Sequence, residues 1–140
     1  MEKSIEELQE EVIEEFSLFE EWMDKYELLI EKGKNLAPFP EEHRVDENLI
    51  EGCQSRVWLY AELREGKVYF QADSDAIIVR GIVALLLSIL SGQSPKAIAE
   101  ADLYFIERTG LKENLSPTRS NGLYAMLKQM KLFALALEKE

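Results

Sequence analysis

Hydrophobic positions along the chain change period more than once, and the changes mark out the elements. Ser4-Ile5-Glu6-Glu7 fits a capping box, in which a serine side chain and the glutamate three residues on satisfy free N–H groups at a helix start. Leu8, Val12 and Phe16 follow at helical spacing and predict a short amphipathic helix. Ser17-Leu18-Phe19-Glu20 fits the same box and predicts a second helix with Phe19, Met23, Tyr26 and Ile30 as its stripe, closed by Gly33 as a C-cap. Pro38 and Pro40 then place a loop or a single turn over 35–45.

Residues 57–73 switch to a period of two. Val57, Leu59, Ala61 and Leu63 alternate with Trp58, Tyr60 and Glu62, and Val68, Phe70 and Ala72 alternate with Tyr69 and Gln71. Between the runs lies Arg64-Glu65-Gly66-Lys67, a short turn with glycine where a positive φ is needed. Pairing Arg64 with Lys67 puts Leu63 opposite Val68, Ala61 opposite Phe70 and Leu59 opposite Ala72, all on one apolar face. The other face is mixed, with Trp58 opposite Asp73 and Tyr60 opposite Gln71. One register satisfies both faces, which predicts an antiparallel hairpin. Asn48–Glu51 offers weaker material for a third strand.

Beyond the hairpin the period returns to helical. Asp73-Ser74-Asp75 supplies N-cap chemistry for an apolar helix reaching about Ser91. Its core, Ile77–Leu90, is interrupted by Arg80 and Gly81 and is shorter than the ~20 residues that cross a bilayer. A buried helix is expected there. Ser94-Pro95 and Ser116-Pro117 each read as an N-cap followed by proline in the first turn. The second opens a last helix with Leu123, Leu127, Met130, Phe133 and Leu137 as its stripe. With no repeat, low-complexity run or linker, the expectation is a single α+β domain over residues 1–140. A small antiparallel sheet of two to three strands has helices packed on one face.

Composition narrows the function. The 140 residues are 46% hydrophobic and 31% charged, enough to bury a core without disulfides. Acidic residues outnumber basic ones 27 to 16, a net charge of −11, which argues against nucleic acid and anionic membranes as partners. The acidic, amphipathic start does not resemble a secretory signal. The one cysteine, Cys53, cannot form an internal disulfide, so a reducing, cytoplasmic setting is expected. One cysteine and one histidine also cannot build a Cys/His zinc site, and no metal is expected.

Cys53 is the main chemical candidate. Free cysteines are usually buried and inert, but Gly52, Gln54, Ser55 and Arg56 give this one polar surroundings. If Trp58 lies opposite Asp73, the chain before Trp58 runs beside the start of the next helix. A helix N-terminus carries partial positive charge and favours a thiolate. Cys53 therefore stays open to both roles on these grounds alone. His43 is the only imidazole that could serve a thiol hydrolase, and its Pro- and Glu-rich setting reads as an exposed loop. Arg119 falls in the first turn of the last helix, an unfavourable end for a cation unless an anion answers it. Trp58 and Tyr60 either lie under another segment or form a partner-binding patch.

Four stretches in order then resemble the SufE family, sulfur acceptors for cysteine desulfurases in iron–sulfur cluster assembly. They are Trp22-Met23-Asp24-Lys25-Tyr26 with Leu29-Ile30 and Gly33; Gly52-Cys53-Gln54-Ser55-Arg56-Val57-Trp58; Asp73-Ser74-Asp75-Ala76 with Val79-Arg80-Gly81; and Leu115 through Leu123. Glu51 and Asn114 depart from the common pattern, where a neutral or basic residue and a histidine are usual. The resemblance implies that Cys53 takes sulfur from a desulfurase persulfide by thiol exchange, activates that enzyme and passes the sulfur to a cluster scaffold. It implies a SufS-like desulfurase and a SufBCD-like scaffold as partners, and Trp58 as a partner-binding residue. A homodimer is left open. No cofactor is expected on this chain, because the pyridoxal phosphate belongs to the desulfurase. Gly52, Gln54, Ser55, Arg56, Asp75 and Arg119 would support the cysteine loop. The competing expectation is a regulatory module that binds a desulfurase without carrying sulfur.

Overall fold

A computed structural model describes residues 3–50 and 55–138. Two helices open the chain, α1 (Ile5–Ser17) and α2 (Trp22–Lys34). After two short 3-10 turns comes the hairpin of β1 (Val57–Arg64) and β2 (Lys67–Ser74). Then follow α3 (Ile77–Leu90), the short α4 (Pro95–Glu100), α5 (Phe105–Arg108) and α6 (Leu111–Asn114), and the long α7 (Pro117–Glu138). The fold is α+β, as the periodicities require.

The hairpin has the expected register throughout, from Val57 opposite Ser74 to Arg64 opposite Lys67. Its turn residues Glu65 and Gly66 both take positive φ, 51° and 79°, the mirror-image turn that matches strand twist. Val57, Leu59, Val68, Phe70 and Ala72 are buried on one face. A third strand does not form among the described residues. Leu49 makes only an isolated bridge to Trp58, with the Ile50 N–H donating to the Val57 carbonyl at 2.9 Å. At the other edge the Val68 N–H donates to Gln93 and the Phe70 N–H to the Ser91 hydroxyl, so both edges are partly covered.

α3 is the central element and packs against α1, α2, β2 and α7. Ile82, Leu86, Ile89 and Leu90 are fully or almost fully buried on it, beside Phe16, Leu29 and Leu123 from its neighbours. Glycines set the closeness of the α2–α3 crossing. A Cβ on Gly33 would stand 2.8 Å from the Gly81 nitrogen, and one on Gly81 would collide with the Leu29 carbonyl oxygen. Gly33 therefore serves close approach inside α2 rather than a C-cap; the helix runs one residue further and is capped at Asn35.

Helix ends follow the sequence where the cap is local. Ser4 and Glu7 form the capping box of α1, Ser94 accepts from the Ala97 N–H, and Ser116 accepts from the Arg119 N–H. Ser17 does not cap α2. It is the last residue of α1, where its hydroxyl donates to the Glu14 carbonyl, and α2 begins at Trp22. Its buried line consequently runs through Leu29 and Gly33, while Met23 points to solvent. α3 likewise starts later than expected, because Asp73 and Ser74 belong to β2.

Candidate functional site

Gly52, Cys53 and Gln54 lie outside the described residues, as does Glu51. The chain on either side of them is held by hydrogen bonds. On the entering side, Ile50 bonds to Val57. On the leaving side, Arg56 and Asp75 hold each other: the Arg56 N–H donates to the Asp75 carboxylate at 3.1 Å, and the Asp75 N–H donates to the Arg56 carbonyl at 3.3 Å. This extends the hairpin pairing past Val57–Ser74, so Asp75 serves as an anchor for Arg56 rather than as the cap of α3.

Ser55 opens onto a cavity of about 420 Å³ between the start of α3 and the first turn of α7. Ser116, Thr118 and Arg119 supply its polar wall, and Val79 and Met126 its apolar wall. Among the described residues no carboxylate lines it. The Arg119 side chain is exposed and makes no ion pair with any described residue. Hydroxyl groups, a guanidinium and a helix N-terminus thus face one space, which is an environment for negative charge. Deeper in, Val57, Ala72, Val83, Leu86 and Met126 line a small, wholly apolar void that also reaches Ile50.

The structure thus brings Ser55, Arg56, Asp75 and Arg119 to one end of the molecule. It does not leave Trp58 on the surface. That ring is 8% exposed, with the Arg44 guanidinium 4.7 Å above it. The segment through Phe39 and Arg44 lies over the mixed face of the hairpin, and Trp58 packs beneath the Arg44 guanidinium. His43 stacks on Tyr60 with ring centroids 3.7 Å apart.

Sequence reasoning missed one cluster entirely. Asp73 lies between two guanidinium groups, with Arg44 at 3.0 Å and Arg80 at 3.1 Å. The hydrogen bond that Arg44 donates to Asp73 is the main cause of an upward shift in the Arg44 pKa. The hairpin register already put Asp73 on the mixed face opposite Trp58; only the path of residues 39–44 was hidden. Ser116 and Thr118 were also missed as cavity lining, since that depends on where α7 docks. Among the described residues no three potential ligands gather to hold a metal ion, and no helix is long and apolar enough to cross a membrane.

The same arrangement of elements occurs in a solution structure of a hypothetical protein from Thermus thermophilus, with a TM-score of 0.79, covering 95% of this chain and 97% of that one at 24% identity. That likeness defines the fold. Residues 10–134 match the model of the SufE family, described as an Fe-S metabolism associated domain. An uncharacterized SufE-like protein of Synechocystis is 42% identical over 127 residues, covering 91% of this chain and 80% of its own length. A second, from Rhizobium meliloti, is 40% identical over 127 residues, covering 87% of this chain and 91% of its own length. SufE-like protein 1 of Arabidopsis thaliana, chloroplastic/mitochondrial by name, is 41% identical over 92% of this chain but only 35% of its own length. The chain belongs to the SufE family, and its role lies in iron–sulfur metabolism.

Proposed function

We propose that this protein is the sulfur acceptor and activator of a cysteine desulfurase, with Cys53 as the acceptor thiol. The observation that carries this is the setting of the described residues that flank 51–54. Both flanks are pinned, by Ile50–Val57 and Arg56–Asp75, beside a cavity whose described lining has hydroxyls and a guanidinium and no carboxylate. Such surroundings favour a thiolate, the form that performs thiol exchange.

The reaction is an exchange without net oxidation. The Cys53 thiolate attacks the outer sulfur of the donor's cysteine persulfide and forms a new S–S bond. The donor's S–S bond breaks and its own sulfur leaves as thiolate. The persulfide, with its proton, now sits on Cys53 and moves on to an iron–sulfur scaffold by the same exchange. This chemistry asks for no cofactor on this chain; the pyridoxal phosphate that frees the sulfur belongs to the desulfurase. A reducing compartment such as the cytoplasm suits a lone working thiol.

The test is intact mass after incubation with the source organism's desulfurase and L-cysteine. Wild type should gain about one sulfur atom, reversibly with reductant, and Cys53→Ser should gain none. Stimulation of the desulfurase by Cys53→Ser, with no sulfur gain in wild type, would instead establish a regulatory module.

A further inference from the structure

Residues 37–48 cross the mixed face of the hairpin as a strap that is tied to the body by side chains. Its main-chain hydrogen bonds run from the N–H of His43 to Pro40, of Arg44 to Glu41 and of Asn48 to Val45, and the Asn48 side chain donates to the His43 carbonyl at 2.7 Å. Among the described residues all of these bonds close inside the strap. Main-chain bonds to the body resume only at its ends, where the Leu36 N–H donates to the Gly33 carbonyl and the Ile50 N–H to the Val57 carbonyl. In between, Phe39 is the one buried residue, His43 lies on Tyr60, and Arg44 reaches over Trp58 to Asp73. Arg44 is also the strap's one lysine or arginine, against four acidic residues, so the charged contact rests on a single side chain.

The charges around that contact can change partners without being stranded. Arg44 keeps Glu41, inside the strap, at 3.2 Å. Asp73 keeps Arg80, on α3, at 3.1 Å. This second pair is incomplete: Asp73 Oδ1 and Arg80 Nε are buried and close, yet neither has a hydrogen-bond partner. Freed from Arg44, the carboxylate can turn and complete that bond, which offsets part of the cost of letting go. We infer that residues 37–48 form a latched strap that lifts from the hairpin as a unit, with Arg44 on Asp73 as the latch and Arg80 as the partner that holds Asp73 when the latch is open. Opening bares the rings of Trp58 and Tyr60. A ligand that touches the covered face of Trp58 has to bind the open form, and its apparent affinity scales with the open fraction. The device is a property of the fold and does not depend on the role of Cys53.

Amide hydrogen exchange of the full chain tests this, read by NMR at His43, Arg44 and Asn48 against the amides of β1 and β2. In wild type the three strap amides should share one protection factor, lower than that of the hairpin. Arg44→Gln should lower it about tenfold at all three, the worth of one charge-assisted bond, while the hairpin amides hold theirs. Asp73→Asn should act in the same direction, and the double variant should loosen the strap no further than Arg44→Gln alone. Arg80→Gln should act the other way. It leaves Asp73 with Arg44 alone, so opening strands the carboxylate and strap protection should rise. A contact that only packs the strap would loosen in both arginine variants. His43 is the chain's single histidine, so its ring protons give an independent reading. Tyr60 shifts them upfield in the closed form, and Arg44→Gln should move them toward the values of a free histidine. Thermal melts establish that each variant is folded, and the Arg44 and Asp73 variants decide the matter if Arg80→Gln is not. Strap amides that exchange at unrelated rates, unchanged protection in Arg44→Gln, or a looser strap in a folded Arg80→Gln variant overturns the inference.

Discussion

Arg56 and Asp75 are joined twice, by the Arg56 N–H to the Asp75 carboxylate at 3.1 Å and by the Asp75 N–H to the Arg56 carbonyl at 3.3 Å. Only the first bond uses a side chain, so it can be removed alone. Asp75→Ala should leave the Arg56 amide without its acceptor and cost about 1 kcal/mol. Asp75→Asn retains an acceptor oxygen and should behave close to wild type. Hydrogen exchange at the Arg56 amide is the direct measurement: protection falls in the alanine variant and persists in the asparagine variant. Sulfur loading should slow in the same order.

A second prediction concerns the buried amide of Gln9, which is fully buried in the middle of α1. Its Nε2 donates to the Asp102 carbonyl at 3.0 Å, and its Oε1 accepts from the Phe105 N–H at 3.0 Å. Two main-chain groups of the 102–105 corner depend on it. Gln9→Leu matches the size of the side chain but leaves both groups unpaired. The expected loss is about 2–3 kcal/mol, read as a lower urea midpoint at unchanged slope. A midpoint equal to wild type would mean that water replaces both bonds.

These two cases show what was and was not legible in the sequence. The hairpin and the neighbourhood of Arg56 and Asp75 followed from alternation and a two-residue turn, because register propagates along paired strands. Caps at Ser4, Ser94 and Ser116 were legible because each is a contact within four residues. The start of α2 was not, because α1 extended over Ser17 and consumed the second capping signal. Gln9 gave no signal at all, since its partners lie more than ninety positions away. Trp58 looked like a surface patch because nothing local shows that Arg44 folds over it. Cys53 carried its motif plainly, but the cavity beside Ser55 is walled by α7, far along the chain.

Gly81 supplies a third prediction, in which two effects oppose each other. Alanine in a helix interior is favoured over glycine by roughly 0.8–1 kcal/mol. At this position the new Cβ would collide with the Leu29 carbonyl oxygen of α2, which cannot swing away as a side chain could. Separating two packed helices should cost more than the propensity gain, for a net loss of about 2 kcal/mol. Gly81→Ala should therefore melt lower than wild type. A higher melting temperature would show that the crossing relaxes freely.

Tyr104 provides a pH test with a definite sign. Its hydroxyl donates to the Glu10 carboxylate at 2.9 Å. Desolvation first, and then the hydrogen bond and charge of Glu10, raise its pKa above the ordinary value of 10.0. A pKa raised in the folded state stabilises the protein fully below the unfolded value and loses that contribution as pH rises through the folded value. The contact should thus be silent at neutral pH and weaken only above about pH 10. Tyrosinate absorbance should show one tyrosine titrating late in wild type, and Glu10→Gln should bring that tyrosine back toward the ordinary value by removing the negative charge. The thermal melts of Tyr104→Phe and wild type should differ by a constant amount at neutral and mildly alkaline pH, then converge as the tyrosine ionises. A gap that widens on the alkaline side would reverse the sign and exclude Glu10 as the cause.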